Sequence, residues 1–334
     1  MASTTIAVLG AGSWGTALAI LLSRNGINVR LWGHLREEIE LLQAERENRQ
    51  YLPGIPLPEK LQPVIDLAAA VEGIDELLVV VPSHVFRQAL EAVKPLLTDD
   101  ATPLNWATKG LEPGTQKLLH QVAIEVLGER PMAVISGPTF AQEVAAGLPT
   151  AMTVASTSSV QAKRFAGHLN SDCFRAYTSS DIIGVQIGGS AKNVLAIAAG
   201  IADGLGFGAN TRAALITRGL AEIMRLGQAL GGKPETFMGL AGLGDLALTC
   251  TDNQSRNRRM GLALAKGLTI KQAREEIGQE VEGVGTAQAI YQKACELNVE
   301  MPITEQVYRI LYEGLDPKEA VQRLLAREIK AEVS

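Results

Sequence analysis

Ile6-Ala7-Val8-Leu9-Gly10-Ala11-Gly12-Ser13-Trp14-Gly15 is the stretch on which the reading of this chain turns. The apolar run has the length of a short buried strand, and the glycines follow at the spacing of a dinucleotide-binding turn. Gly10 permits the tight turn, Gly12 has no Cβ to hold a pyrophosphate away from the main chain, and Gly15 lets the next helix pack closely on the strand. The start of that helix adds free N–H groups and a positive dipole end. A G-x-G-x-x-G match alone also fits an ordinary glycine-rich turn. Here residues 16–22 read as a helix, Asn25-Gly26 as its stop, and Asn28-Val29-Arg30-Leu31-Trp32 as a second strand. That context predicts a βαβ unit with Gly10, Gly12, Ser13, Trp14 and Gly15 against a dinucleotide.

With 334 residues the chain is long enough for two domains. Its 46% hydrophobic and 20% charged content is that of an ordinary globular protein. A net charge of −5 argues against a general nucleic-acid or acidic-membrane binder, so an anionic substrate needs a local positive cluster. Cys173, Cys250 and Cys295 fit neither a metal spacing nor a disulfide framework, and are read as small buried residues in a reducing compartment. With no basic leader and no stretch of about eighteen purely apolar residues, the expectation is a cytoplasmic protein without a membrane span.

The first half alternates strand-like and helix-like segments. After the first βαβ unit, strands are expected at 76–82, 104–108 and 132–136, with 151–155 and 174–177 extending the sheet. Such continuous apolar runs suit a doubly wound parallel sheet buried on both faces. From about Asp181 the strand signal fades, and helices are expected at 182–201, 211–230, 257–266, 270–277 and 285–297. The expected division is a Rossmann-type domain over 1–187 and a mostly helical domain over 188–334, whose apolar surfaces suit a homodimer. In open α/β sheets ligands sit beyond the carboxyl ends of the strands, which directs attention to the strand ends.

Three positions there carry chemistry. Lys109, in Ala107-Thr108-Lys109-Gly110, is read as either a solvated lysine or a cation beside the substrate; His84 fits a turn histidine better than a proton donor. Lys192 is the one charged side chain in the apolar run 182–196. Helical side chains lean toward positions i−3 and i−4, here Gly189 and Gly188, which predicts an open niche beneath the ammonium group. Apolar surroundings should lower its pKa into the range useful for proton transfer, unless it merely snorkels at an interface. Third, Ser255 reads as the cap of a helix whose first turn holds Arg256, Asn257 and Arg258. Positive charge there opposes the dipole unless an anion binds; the alternative is a solvated basic loop. The second strand ends in Gly33-His34-Leu35-Arg36 without the acid expected for ribose hydroxyls, so NADP(H) is the expected cofactor, with NAD(H) tolerated.

Together with Val81-Pro82-Ser83-His84, Ser136-Gly137-Pro138-Thr139-Phe140-Ala141, residues 204–210 and Gly242-Leu243-Gly244-Asp245, these motifs closely resemble the bacterial NAD(P)-dependent glycerol-3-phosphate dehydrogenase family, from Ile6 to about Leu325. The resemblance implies a 6-phosphogluconate-dehydrogenase-like pairing of domains. It also implies reversible reduction of dihydroxyacetone phosphate to sn-glycerol 3-phosphate, a phospholipid precursor. By that resemblance Lys192 exchanges the proton, and Lys109, Gly137, Thr139, Lys192, Asp245, Ser255, Arg256 and Asn257 contact substrate. Ser13, Trp14, His34, Lys109, Ala141, Arg256 and Glu282 contact the cofactor. Glu280 stands where relatives often carry an aliphatic residue, so a cofactor contact there would run through its backbone. Two rivals are a β-hydroxyacid or 6-phosphogluconate-type dehydrogenase and a non-catalytic NAD(P) sensor. The phosphate-clamp residues disfavour the first, and Lys192 the second.

Overall fold

The eight strands of this computed structural model, in which residues 4–326 are described, form a single sheet. They are β1 (Thr5–Leu9), β2 (Asn28–Trp32), β3 (Leu61–Val64), β4 (Glu76–Val79), β5 (Leu104–Trp106), β6 (Met132–Ser136), β7 (Thr150–Ala155) and β8 (Phe174–Ser179). Their order is β3-β2-β1-β4-β5-β6-β7-β8, so the winding reverses between β1 and β4. Two apolar cores cover the sheet's faces; Leu18, Leu22 and Phe165 lie in one, and Phe86, Trp106 and Val122 in the other. The central strands β4, β5 and β6 are buried throughout, as suits runs that are apolar but for Glu76, Asn105 and Ser136.

Two strands run against expectation. β7 pairs antiparallel with β6, and β8 then pairs parallel with β7. Between β6 and β7 lies the six-residue helix Ala141–Ala146. The 11-residue helix Ser159–Leu169 then links β7 to β8, which pair in parallel.

The amino ends of the strands are closed by a buried carboxylate. Glu76 opens β4 with no solvent exposure. Its oxygens accept hydrogen bonds from Asn105 Nδ2 at 2.7 Å and Gln161 Nε2 at 3.0 Å; His168 Nε2 stands at 3.1 Å and Arg164 Nε at 2.7 Å. Burial alone would raise its pKa, but the bonds from His168, Asn105 and Gln161 and the Arg164 charge outweigh burial and lower it.

Past the sheet the chain is helical. The helices Ile182–Gly204, Ala209–Ala229, Arg256–Ala265, Ile270–Ile277 and Glu282–Glu296 lie where the periodicity puts them. Pro234–Phe237, Asp245–Thr251, Pro302–Tyr312 and Pro317–Leu325 are further helices that the sequence reading did not separate. Ile182–Gly204 is the axis of the molecule. At 23 residues, with an 18-residue window of mean hydropathy 1.4, it is long and apolar enough to cross a bilayer, yet 94% of that window is buried inside the fold. Its first turns, Ile182 and Val185, pack on the sheet, and Ile187 to Ile201 form the centre of the helical core. One helix therefore passes from the sheet core into the helical core, and Lys192 lies on its second part.

Candidate active site

The fingerprint turn has the shape that its sequence demands. Gly10 has φ +119°, and a Cβ there would stand 2.2 Å from the Val80 carbonyl oxygen. At Gly15 a Cβ would stand 1.8 Å from the Gly10 carbonyl oxygen, which is the close helix–strand approach itself. Gly12 is the opposite case, with nothing within 4 Å of its Cβ position. The helix Ser13–Arg24 starts there with no side-chain cap and no acid in its first turn. Its leading N–H groups are free for an anion. The Trp14 Nε1–H is buried without a partner among the described residues. Behind the turn, Asn48 Nδ2 donates to the Ala11 carbonyl oxygen at 2.9 Å and to Thr16 Oγ1 at 2.8 Å, which fixes the loop. An open cradle, free N–H groups and an unpartnered indole fit a dinucleotide pyrophosphate. His34 is exposed at the end of β2, next to Gly33, whose Cβ position lies 3.0 Å from Ala11 Cβ. No acid intervenes there; the first, Glu37 and Glu38, lie in the helix Arg36–Glu45.

Across the carboxyl ends of β5 and β6 the two domains meet on one carboxylate. Asp245 begins the helix Asp245–Thr251 and is fully buried. A π-helical turn, Leu240–Gly244, delivers it, and Gly244 lies against Pro138. Asp245 Oδ2 accepts from Lys109 Nζ at 2.7 Å, and Oδ1 accepts from Lys192 Nζ in a very short contact. Lys192 Nζ also donates to Thr249 Oγ1 at 2.9 Å, and that hydroxyl donates to the Asp245 carbonyl oxygen at 2.6 Å. Thr249 was not anticipated, although it follows Asp245 by one helical turn and so shares its face.

Two ammonium groups on one carboxylate cannot be equally stabilised. For Lys109, burial works to lower the pKa, and the attraction and hydrogen bond of Asp245 outweigh it, so the net shift is upward. Lys192 is pushed down to about 7, by burial first and by the Lys109 charge in addition, against the pull of Asp245. One lysine stays charged while the other is poised near neutrality, which is how a site separates an electrostatic role from a proton-transfer role.

The surroundings of Lys192 differ from the expected niche. Gly188 and Gly189 leave no opening: a Cβ at 188 would stand 2.4 Å from the Ala241 carbonyl oxygen, and one at 189 would stand 2.4 Å from Ser136 Oγ. The glycines instead let the helix press against the turn that carries Asp245 and against the end of β6. That approach sets the cost of about 1 kcal/mol per helical glycine against tight packing. Nor is the lysine in apolar surroundings; it is desolvated among polar partners. Ser190, also unanticipated, accepts from the Gly110 N–H at 2.8 Å and ties the Lys109 loop to the Lys192 helix.

The remaining residues close the other side. Ser255 caps the helix Arg256–Ala265, its Oγ accepting from the Arg258 N–H at 3.2 Å. Arg258 is structural, bonded to the Cys250 carbonyl oxygen, Asn253 Oδ1 and Asp203. Arg256 is half-buried and its side chain has no hydrogen bond or ion pair among the described residues. Asn257 Oδ1 accepts from the Gly283 N–H at 2.9 Å, leaving its amide NH₂ for a ligand. Glu282 lies beside Asn193, with Asn193 Nδ2 at 3.4 Å from Glu282 Oε2, and its charge is felt at Lys109. Lys109, Lys192, Asp245, Asn257 and Glu282 are thus gathered into one cluster, with Gly137 and Thr139 following β6 beside it. Ala141 starts the helix that packs on Ser13–Arg24, where Arg24 Nη1 donates to the Ala145 carbonyl oxygen at 2.6 Å. Glu280 is exposed, and its side chain has no hydrogen bond or ion pair among the described residues. His84 is an exposed residue of the turn after Pro82.

Comparison with known proteins agrees along the whole chain. The family model described as NAD-dependent glycerol-3-phosphate dehydrogenase N-terminus matches residues 5–162, and the model of the C-terminus of the same family matches residues 181–322. A glycerol-3-phosphate dehydrogenase [NAD(P)+] of Shewanella halifaxensis is 57% identical over 98% of this chain and 97% of its own. One of Nitrosococcus oceani is 58% identical over 97% of this chain and 94% of its own. The crystal structure of glycerol-3-phosphate dehydrogenase from Coxiella burnetii superposes with a TM-score of 0.95 at 53% identity, covering 97% of this chain and 99% of that one.

Proposed function

The chain belongs to the NAD-dependent glycerol-3-phosphate dehydrogenase family, and from that premise we propose how its residues carry out the reaction. It is an NAD(P)-dependent dehydrogenase that reduces dihydroxyacetone phosphate to sn-glycerol 3-phosphate, reversibly. When bound, the nicotinamide would supply the hydride to the ketone carbon, or take it back from the alcohol. Residues 1–187 hold the dinucleotide through Gly10, Gly12, Ser13, Trp14, Gly15, His34 and Ala141, with Glu280 and Glu282 at the rim; residues 188–334 supply most of the substrate contacts.

Lys192 carries the proton. In ketone reduction its ammonium gives a proton to the carbonyl oxygen as negative charge develops there; in alcohol oxidation the neutral amine removes the hydroxyl proton. The observation behind this role is the pairing of the two lysines on Asp245, which leaves Lys192 alone near neutrality. Lys109 stays charged and polarises the substrate oxygen, while Asp245 and Thr249 aim the Lys192 nitrogen. Arg256, a cation with no partner among the described residues, and the Asn257 amide grip the phosphate, with Ser255, Gly137 and Thr139 around it. We place the enzyme in the cytoplasm, in keeping with its three free cysteines.

At the end of β2 no carboxylate opposes a 2′-phosphate, and His34 is free to meet one, which favours NADPH over NADH. Following NADPH and NADH oxidation at 340 nm, with dihydroxyacetone phosphate as sole added substrate, tests both statements. Turnover with both cofactors and a higher kcat/KM for NADPH is expected. No turnover would overturn the substrate assignment, and a strong preference for NADH the specificity argument.

A further inference from the structure

Ser136 ends β6, directly before Gly137, and is 2% exposed. Its Oγ is buried with no hydrogen-bond partner among the described residues. The hydroxyl faces the Lys192 helix at Gly189, where a Cβ would lie 2.4 Å from Ser136 Oγ and 3.8 Å from Lys109 Cδ. It therefore sits where the shaft of Lys109 crosses that helix, less than one turn before Lys192. An unpaired buried hydroxyl costs about 1–3 kcal/mol, a cost that alanine of nearly the same shape would avoid. Val134, two residues earlier on the same face, is an apolar residue buried in the sheet core. The position tolerates an apolar side chain on packing grounds and nevertheless holds a polar one.

We propose that Ser136 is a further substrate-specificity residue, whose hydroxyl pairs with the free hydroxyl on the carbon next to the carbonyl of the bound three-carbon phosphate ester. The inference rests on the proposed reaction. In the roles proposed above the phosphate goes to Arg256 and Asn257 and the reacting oxygen to the two lysines, and no residue has yet been given to the remaining hydroxyl. A neutral group that both donates and accepts suits a neutral alcohol. The glycine opposite gives the hydroxyl its room.

The test compares dihydroxyacetone phosphate with hydroxyacetone phosphate, which lacks that alcohol, in wild type, Ser136→Ala and Ser136→Cys. Pairing worth about 1 kcal/mol predicts that Ser136→Ala loses roughly fivefold in kcat/KM on dihydroxyacetone phosphate. On hydroxyacetone phosphate the variant should stay within about twofold of wild type. The melting temperature should be equal or higher, since an unsatisfied group has been removed. Ser136→Cys, nearly isosteric and a weaker donor, should fall between, and it carries the test if the alanine variant does not fold. Equal losses on both substrates, or none on either, would overturn the proposal. A wild-type enzyme inactive on dihydroxyacetone phosphate would instead refute the reaction itself.

Discussion

Each end of the sheet holds a fully buried carboxylate flanked by basic side chains, and the two ends are built to opposite purposes. At the amino ends, Glu76 is met by Arg164, His168, Asn105 and Gln161, so that its charge is matched by a full set of donors. At the carboxyl ends, Asp245 is shared by two lysines, and the neighbourhood is left incomplete. Lys192 is held near the point of losing its proton, Ser136 Oγ has no partner, and Arg256 has no counterion among the described residues. Burial of charge alone does not mark a site. What marks it is charge and hydrogen-bonding capacity that the protein does not satisfy for itself.

The largest separation between the two ends should come from Lys192→Ala. Loss of a general acid–base typically costs about 10²–10⁴ in rate, so kcat should fall by roughly 10³ while NADPH affinity, measured by fluorescence titration, stays within about twofold. Near-normal turnover would remove Lys192 from the mechanism. Glu76→Ala should do the reverse. Breaking a buried pair costs about 3 kcal/mol at the low end, fitting here because Arg164 is half-exposed, and the melting temperature should drop by roughly 5–10 °C. The kcat/KM of the folded protein should not change; a matching loss of activity would mean that the two ends are coupled. Smaller still is Arg256→Ala, where a charged hydrogen bond of about 1.5–3 kcal/mol predicts a 10- to 150-fold drop in kcat/KM, mainly through KM for dihydroxyacetone phosphate. An unchanged KM would return Arg256 to the solvated loop.

The two regions were also unequally legible. The fingerprint could be read directly because its constraints are local: each glycine answers to a turn, a helix start or a strand a few residues away. Lys192 and the Arg256 run stood out because each breaks a local pattern, a charge in an apolar helix and cations at a helix start. The sequence did not show which of the two arginines flanking Asn257 is structural, because Arg258 is claimed by Asp203, 55 positions away. For the same reason Gly188 and Gly189 were misread as a niche, since their partners, Ala241 and Ser136, are distant in the chain. The reversed direction of β7 and β8 follows from the route of the chain between β6 and β7, and not from any residue within β7. That Ser136 is unpartnered is a property of the assembled fold alone.

The central claim is that sharing Asp245 with Lys109 leaves Lys192 as an acid–base group poised near pH 7. It is tested most directly by the pH dependence of kcat/KM in both directions. Reduction needs the protonated amine and should decline as pH rises through about 7; oxidation needs the free amine and should increase through the same value. Both substrates are phosphate monoesters, so their own ionisation moves the two profiles in the same sense, whereas Lys192 moves them in opposite senses. Opposed profiles crossing near pH 7 are the expected result. Profiles that run flat between pH 6 and 8.5 (a range of roughly one unit or more on either side of the expected pKa), or that move together, would contradict the account.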